Sequence, residues 1–231
     1  IKERVRVVME RIERACEKAN RDPQEVKLIA VTKQFGTEVV ESAMEAGLTD
    51  FGENYAQELQ KKAIAVAQKG LEPRWHFIGA LQTNKAKIVA KICDSIHSID
   101  REGLVSEMQK RIPEGKVMDC FIEVNIGNEP QKSGASEEMV LELASLILSS
   151  KNMRLLGLMC VPPFSDDPEA SRPYFRKLRN LEGHLLEKLS PPPALLRGLS
   201  MGMSHDLEVA IEEGATVVRI GTAIFGERRK G

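Results

Sequence analysis

Short apolar runs rich in β-branched residues recur along the chain. They lie at Lys27–Thr32, Thr49–Gly52, Arg74–Gly79, Ser95–Ile99, Cys120–Ile126, Leu155–Cys160, Gly198–Met203 and Thr216–Gly221. Several are apolar almost without interruption, the pattern of strands covered on both faces in a parallel sheet. Most midpoints fall about 20 to 25 residues apart, the length of one strand–helix unit. Between the runs lie amphipathic stretches with helix punctuation. Thr37 precedes a helix stopping at Gly47, Asp100 one reaching Lys110, Ser136 the run Met139–Ser149, and Ser204 with Asp206 one closing at Gly214. Each combines a capping oxygen with acids in the first turn or a glycine past the end. The chain opens inside another helical pattern (Val5, Val8, Ile12), so residues ahead of Ile1 are expected. The longest connection, Val161 to Arg197, carries Pro162, Pro163, Pro168, Pro173 and Pro191–Pro193 around one expected helix, Tyr174–Leu189. It reads as a stiffened surface excursion.

Eight such units without a compositional break predict an α/β fold: a single (β/α)8 TIM barrel spanning 1–231 as one domain, with an additional N-terminal helix. A doubly wound open sheet is the alternative. It would more often carry a glycine-rich dinucleotide turn, and neither G-x-G-x-x-G nor G-x-x-x-x-G-K-[ST] occurs.

Composition narrows the function. Lys and Arg total 33 against 34 Asp and Glu, a formal charge of −1, so no net field draws in nucleic acid or an anionic membrane. Aromatics make up 4% with one Trp, too few for a platform on which single-stranded bases stack. Cys16, Cys93, Cys120 and Cys160 form no C-x-x-C pair and read as reduced thiols rather than a disulfide frame or zinc site. No apolar run approaches the roughly 18 residues of a membrane span, and no signal pattern opens the chain. The expected compartment is the cytoplasm and the expected state a monomer.

In a (β/α)8 barrel the C-terminal ends of the strands face the active site. Lys33 ends the first run; at an apolar mouth a lysine loses hydration, its pKa falls, and the neutral amine can form a Schiff base. A solvated strand-end lysine is the ordinary reading of that position. Arg219 alternates with Val217 and Gly221 on one face of the last strand. Inside a barrel its charge needs an acceptor or a ligand, the ordinary alternative being a structural pair, for instance with Glu123. Gly221 with Thr222, and Ser204 where the next helix starts, form the place where many barrels bind phosphate. Elsewhere the ordinary readings prevail: His97 as a satisfied core histidine, Cys160 as a core thiol, Asp166 and Asp167 as turn residues, Lys85 and Lys87 as a solvated helix face, Asn54 and Asn125 as polar wall groups. His76, His97, His184 and His205 show no metal spacing. A Schiff-base lysine, an arginine inside the last strand and a phosphate cradle together match what pyridoxal phosphate requires.

The blocks Ala30–Lys33, Phe51–Asn54, Trp75–Gly79 with Leu81-Gln82 and Asn84-Lys85, Leu199–Ser204, and Val218–Thr222 with Ile224–Gly226 resemble, in order, the YggS/PROSC family of pyridoxal-phosphate homeostasis proteins. That family's barrel resembles the N-terminal domain of alanine racemase. The resemblance implies pyridoxal 5′-phosphate (PLP) as cofactor, held as a Schiff base on Lys33, with Arg219 facing the pyridine nitrogen. It implies Ser204 and Gly221-Thr222 on the phosphate, helped by the backbone around Ser200 and Met201, with Asn54 near the ring and His76 a weaker candidate. The implied role is reversible holding of PLP, with transfer to PLP-dependent apo-enzymes as a further step, and not catalysis. Alanine racemase adds a β domain and a partner tyrosine. Here ten residues follow Gly221 and only Tyr55 and Tyr174 exist, so no second catalytic base is evident. A fold-type III racemase or lyase is the second reading, and a barrel aldolase taking a sugar phosphate onto the lysine the third.

Overall fold

The computed structural model describes residues 1–192 and 194–227. Eight parallel strands close into a barrel in sequence order. They are β1 (Lys27–Val31), β2 (Asp50–Glu53), β3 (Arg74–Phe77), β4 (Ser95–Ile99), β5 (Met118–Glu123), β6 (Met153–Met159), β7 (Gly198–Ser200) and β8 (Val217–Ile220). The ring closes where β1 runs beside β8, with Ile29 opposite Arg219 and Ala30 opposite Ile220. The helices that cover it are α1 (Lys2–Lys18), α2 (Glu38–Glu45), α3 (Ala56–Ala67), α4 (Ala86–Ile92), α5 (Glu102–Arg111), α6 (Glu137–Leu148), α7 (Arg172–Leu189), α8 (Leu207–Glu212) and α9 (Thr222–Phe225). The fold is the (β/α)8 barrel with an N-terminal helix, and the open-sheet alternative is excluded by closure.

Strand alternation sorts the residues into two shells. Outward positions such as Phe51, Phe77, Ile96 and Ile122 join the large core beneath the helices. Inward positions from across the ring, Ile29, Phe121, Met159 and Val217, make a small apolar cluster in the barrel centre. Val217 in that cluster fixes the phase of β8, so Arg219 also points inward. Gly52 is demanded by this crowding: a Cβ there would stand 2.9 Å from Ile29 Cγ2 and 3.0 Å from Ile78 Cδ1. Gly52→Ala is therefore expected to lower stability by about 1–3 kcal/mol, seen as a lower urea midpoint at unchanged m.

Element ends move from their predicted places for local reasons. β5 stops at Glu123 rather than Ile126, because the chain turns to bridge Val124 with Ala135. β7 stops at Ser200 rather than Met203, where Gly202 takes a positive φ of 93° and would collide with Ala210 if it bore a side chain. α5 is preceded by Arg101 and not Asp100, whose carboxylate instead accepts from the Arg101 guanidinium. α7 begins at Arg172 rather than Tyr174, with Pro173 in the first turn, where a missing N–H costs nothing. α8 begins at Leu207, and Asp206 Oδ1 accepts from the Met203 amide while Oδ2 accepts from Ser171. Pro193, last of its cluster, lies outside the described residues. All four cysteines are buried free thiols. Among the described residues no helix is long and apolar enough to cross a membrane.

Candidate functional site

At the C-terminal mouth of the barrel lies a cavity of ≈ 380 Å³ lined by Val31, Lys33, Asn54, Ile78, Val161, Met203, Ser204, His205, Arg219, Gly221 and Thr222. It brings together six residues singled out from the sequence: Lys33, Asn54, Ser204, Arg219, Gly221 and Thr222. Lys33 sits in the turn just after β1, closed by the Phe35 N–H donating to Thr32 O at 3.1 Å. That turn is anchored from beneath. The Lys62 ammonium, on α3, donates to Thr32 O at 2.7 Å and to Glu53 Oε1 at 2.5 Å, and Thr32 Oγ1 donates to the same Glu53 oxygen. Burial pushes the Glu53 carboxyl up, against the pull of Lys62.

Arg219 is 4% exposed. Its Nη1 donates to Ser200 O at 2.6 Å and Ser200 Oγ at 2.7 Å, and its Nη2 to Cys160 O at 2.9 Å. These acceptors are neutral. Among the described residues no carboxylate lies within ion-pair distance of it, Glu123 and Asp206 acting on it only from farther off, and it lines the cavity. Burial lowers its pKa, yet a guanidinium stays protonated at any working pH. Burial holds the Cys160 thiol up near about 12, which fits a core thiol and not a nucleophile. Ser204 Oγ accepts from the Ala223 N–H at 3.2 Å, fixing the start of α9 against the loop after β7.

Three sequence candidates are not on this wall. Ser200 is fully buried, and its two oxygens serve Arg219. The Met201 amide donates to Val217 O within the barrel. Neither lines this cavity. His76 lies one layer deeper, in a polar chain through the barrel interior. His76 Nε2 is 2.8 Å from Asp50 Oδ1, His76 Nδ1 is 3.3 Å from His97 Nε2, and His97 Nδ1 is 2.8 Å from Ser200 Oγ. Donors and acceptors alternate consistently if both imidazoles are neutral: Arg219 to Ser200, Ser200 to His97, His97 to His76, His76 to Asp50. Burial, with His76 and Arg219 nearby, holds His97 well below its usual pKa. His97 is thus the satisfied core histidine expected, but its partners could not be read from the sequence. His205, absent from the candidates, is on the cavity wall.

The far end of that chain carries a pH consequence. Burial alone would raise the Asp50 carboxyl, but hydrogen bonds from His76 and Thr49 and the nearby Lys27 outweigh it and hold it well below the usual range. A depressed folded-state pKa adds stability that is complete above the unfolded value of about 3.9 and drains as pH falls below it. Asp50→Asn should therefore flatten the loss of stability between about pH 4 and 2, checked by urea midpoints across that range.

A larger hollow, ≈ 570 Å³, opens at the other face beside Gln109–Val117 and Ser149–Asn152. That end of a (β/α)8 barrel serves stability. Among the described residues no His, Cys, Asp and Glu group could hold a metal ion.

Topology and cavity together define a barrel with an amine, a guanidinium and a hydroxyl-and-amide loop converging at one mouth. The family described as alanine racemase, N-terminal domain, matches residues 7–229. A protein of Aquifex aeolicus named pyridoxal phosphate homeostasis protein is 47% identical over 228 residues, 98% of each chain. One of the same name from Escherichia coli K12 is 36% identical over 223 residues, 96% of this chain and 94% of that one. PipY of Synechococcus elongatus PCC7942, solved with PLP bound, superposes with a TM-score of 0.80 at 30% identity, covering 94% of this chain and all of that one. The chain belongs to the alanine racemase N-terminal domain family and, within it, to the pyridoxal phosphate homeostasis proteins. Alanine racemase from Corynebacterium glutamicum, at 14% identity and a TM-score of 0.69, shares the fold; this chain spans 61% of its length.

Proposed function

We propose that residues 1–231 form one PLP-binding domain that serves PLP homeostasis, holding the cofactor as a reversible Schiff base on Lys33. The observation that carries this reading is the convergence of Lys33, Arg219, Ser204, Gly221 and Thr222 on one cavity. The cavity fits the group. Its walls Val31, Ile78, Val161 and Met203 suit an aromatic ring, Arg219 presents a guanidinium with no close carboxylate partner, and Lys33 and Ser204 line the same space. When bound, PLP supplies an aldehyde that a primary amine takes up reversibly.

Lys33 is the amine that lines the cavity. Arg219, a permanent cation beside the ring, disfavours protonation of the pyridine nitrogen. Ser204 and the amides of Gly221 and Thr222 make the neutral donor set that suits a phosphate. Tyr55 is half exposed, and neither it nor Tyr174 is on the wall. The arrangement suits holding and release, to apo-enzymes among other acceptors, by a monomer in the cytoplasm. Adding PLP to the apo protein should give a visible band that borohydride bleaches; a protein that stays colourless would overturn the reading and favour a sugar-phosphate aldolase.

His205 gives a second reading some footing, since it places an imidazole on the cavity wall and racemisation needs an acid and a base on opposite faces. Incubation of the loaded protein with D- and L-amino acids in deuterated water tests it: the carrier reading expects no deuterium at Cα, and incorporation abolished by His205→Ala would favour a racemase.

A further inference from the structure

A second cavity adjoins the first. It has a volume of ≈ 340 Å³, shares Asn54, Ile78 and Val161 with the Lys33–Arg219 cavity, and runs on to Gly79, Glu123, Asn125, Gln131, Lys132 and Ser133. The loop carrying its outer wall is pinned to the barrel: Ala135 N–H donates to Glu123 O at 2.8 Å, and Asn125 N–H to Ala135 O at 3.0 Å. Asn125 is fixed as well, its amide exchanging hydrogen bonds with the Glu129 backbone.

Two acceptors on its wall go unmet. Glu123 is nine-tenths buried, and while its Oε1 accepts from Ser133 at 3.3 Å, its Oε2 is buried with no partner. Asn54 Oδ1, on the wall common to both cavities, is equally without one. An unmet buried acceptor costs about 1–3 kcal/mol and a charged one more, so such atoms mark a place where a ligand completes the set. Lys132, on the same wall, turns its Nζ to Glu129 and Pro162 O and makes no bond to Glu123. Burial first, and then the Asp100 carboxylate, push the Glu123 carboxyl up to about 7, against the pull of Ser133 and Arg219. A buried carboxylate on the cavity wall with one oxygen unmet favours a donor that carries positive charge over an anion.

A group with several N–H donors and a positive charge meets both demands. Resting on the reading that Lys33 holds PLP, we propose that the cavity lined by Glu123 and Asn54 is an entry subsite for a small primary amine, its ammonium donating to Glu123 Oε2 and Asn54 Oδ1 before the amine meets the cofactor pocket. The shared wall of Asn54, Ile78 and Val161 is the passage between the two. The subsite discriminates by donors and charge: a quaternary ammonium keeps the charge but offers no N–H.

The test uses the protein loaded with PLP, mixed with ethanolamine over a range of concentrations at pH 8, following the visible band. The native chain should show a saturable change, weakened at least about tenfold in apparent affinity in Glu123→Gln, the loss expected of a charged hydrogen bond. Tetramethylammonium should not compete. Glu123→Gln should bind PLP as the native protein does, and in the apo state should lack one feature. A carboxyl raised to about 7 makes native stability fall as pH rises from about 4.3 to 7, and that fall should be shallower in the variant. If the variant forms the band normally and responds to ethanolamine like the native protein, the subsite is wrong and the PLP reading stands. If the native protein forms no band, both fall.

Discussion

Lys33→Ala is expected to weaken PLP binding by about a hundredfold or more, roughly 3 kcal/mol at 25 °C. Lys33 is the lysine on the cavity wall, so its loss removes the covalent link and leaves Arg219, Ser204 and the start of α9 to hold the cofactor by polar contacts alone. Residual affinity is therefore part of the expectation, and borohydride should no longer fix what remains bound. Equilibrium dialysis of native and variant apo proteins measures the ratio, with thermal midpoints beside it to show that the barrel is intact. An affinity within a factor of about three of native would mean that the cavity binds without Lys33.

Lys62→Met should destabilise the fold by about 3–5 kcal/mol. Its side chain is 3% exposed and that of Glu53 not at all. Removing the ammonium strands a buried carboxylate and leaves the Thr32 carbonyl and Glu58 without a donor they now use. Breaking one half of such a pair costs far more than replacing both halves. The double variant Glu53→Gln, Lys62→Met should recover much of the loss. Urea unfolding at pH 7 measures all three. Because Thr32 precedes Lys33, the single variant should also bind PLP less tightly than its residual fold alone would explain.

The barrel was legible because its strands, buried on both faces, stand out as short apolar runs, and because Lys33 and Arg219 fall at positions that alternation and strand order alone place at one mouth. The edges drifted where tertiary contacts end an element: the Val124–Ala135 bridge cuts β5 short, and Gly202 turns the chain after β7. His97 read correctly as a core histidine from its neighbours Ile96 and Ile99. Its partners did not, since Asp50, His76 and Ser200 come from three other strands and only closure of the ring stacks them. The same closure brings Ser200 beneath Arg219, whose guanidinium donates to both its oxygens. Glu123 suggested only a pair with Arg219; the cavity beside it exists because a loop ten residues on folds back over the strand end, and no local pattern announces that. Lys62 sits in an amphipathic helix where a lysine is ordinarily solvated.

The most direct test of the account is to load the protein with PLP, reduce it with borohydride, digest it and locate the modified lysine by mass. The expected result is one pyridoxyl group per chain on the peptide containing Lys33. A label spread over the lysines of the outer helices, or none at all, would contradict it.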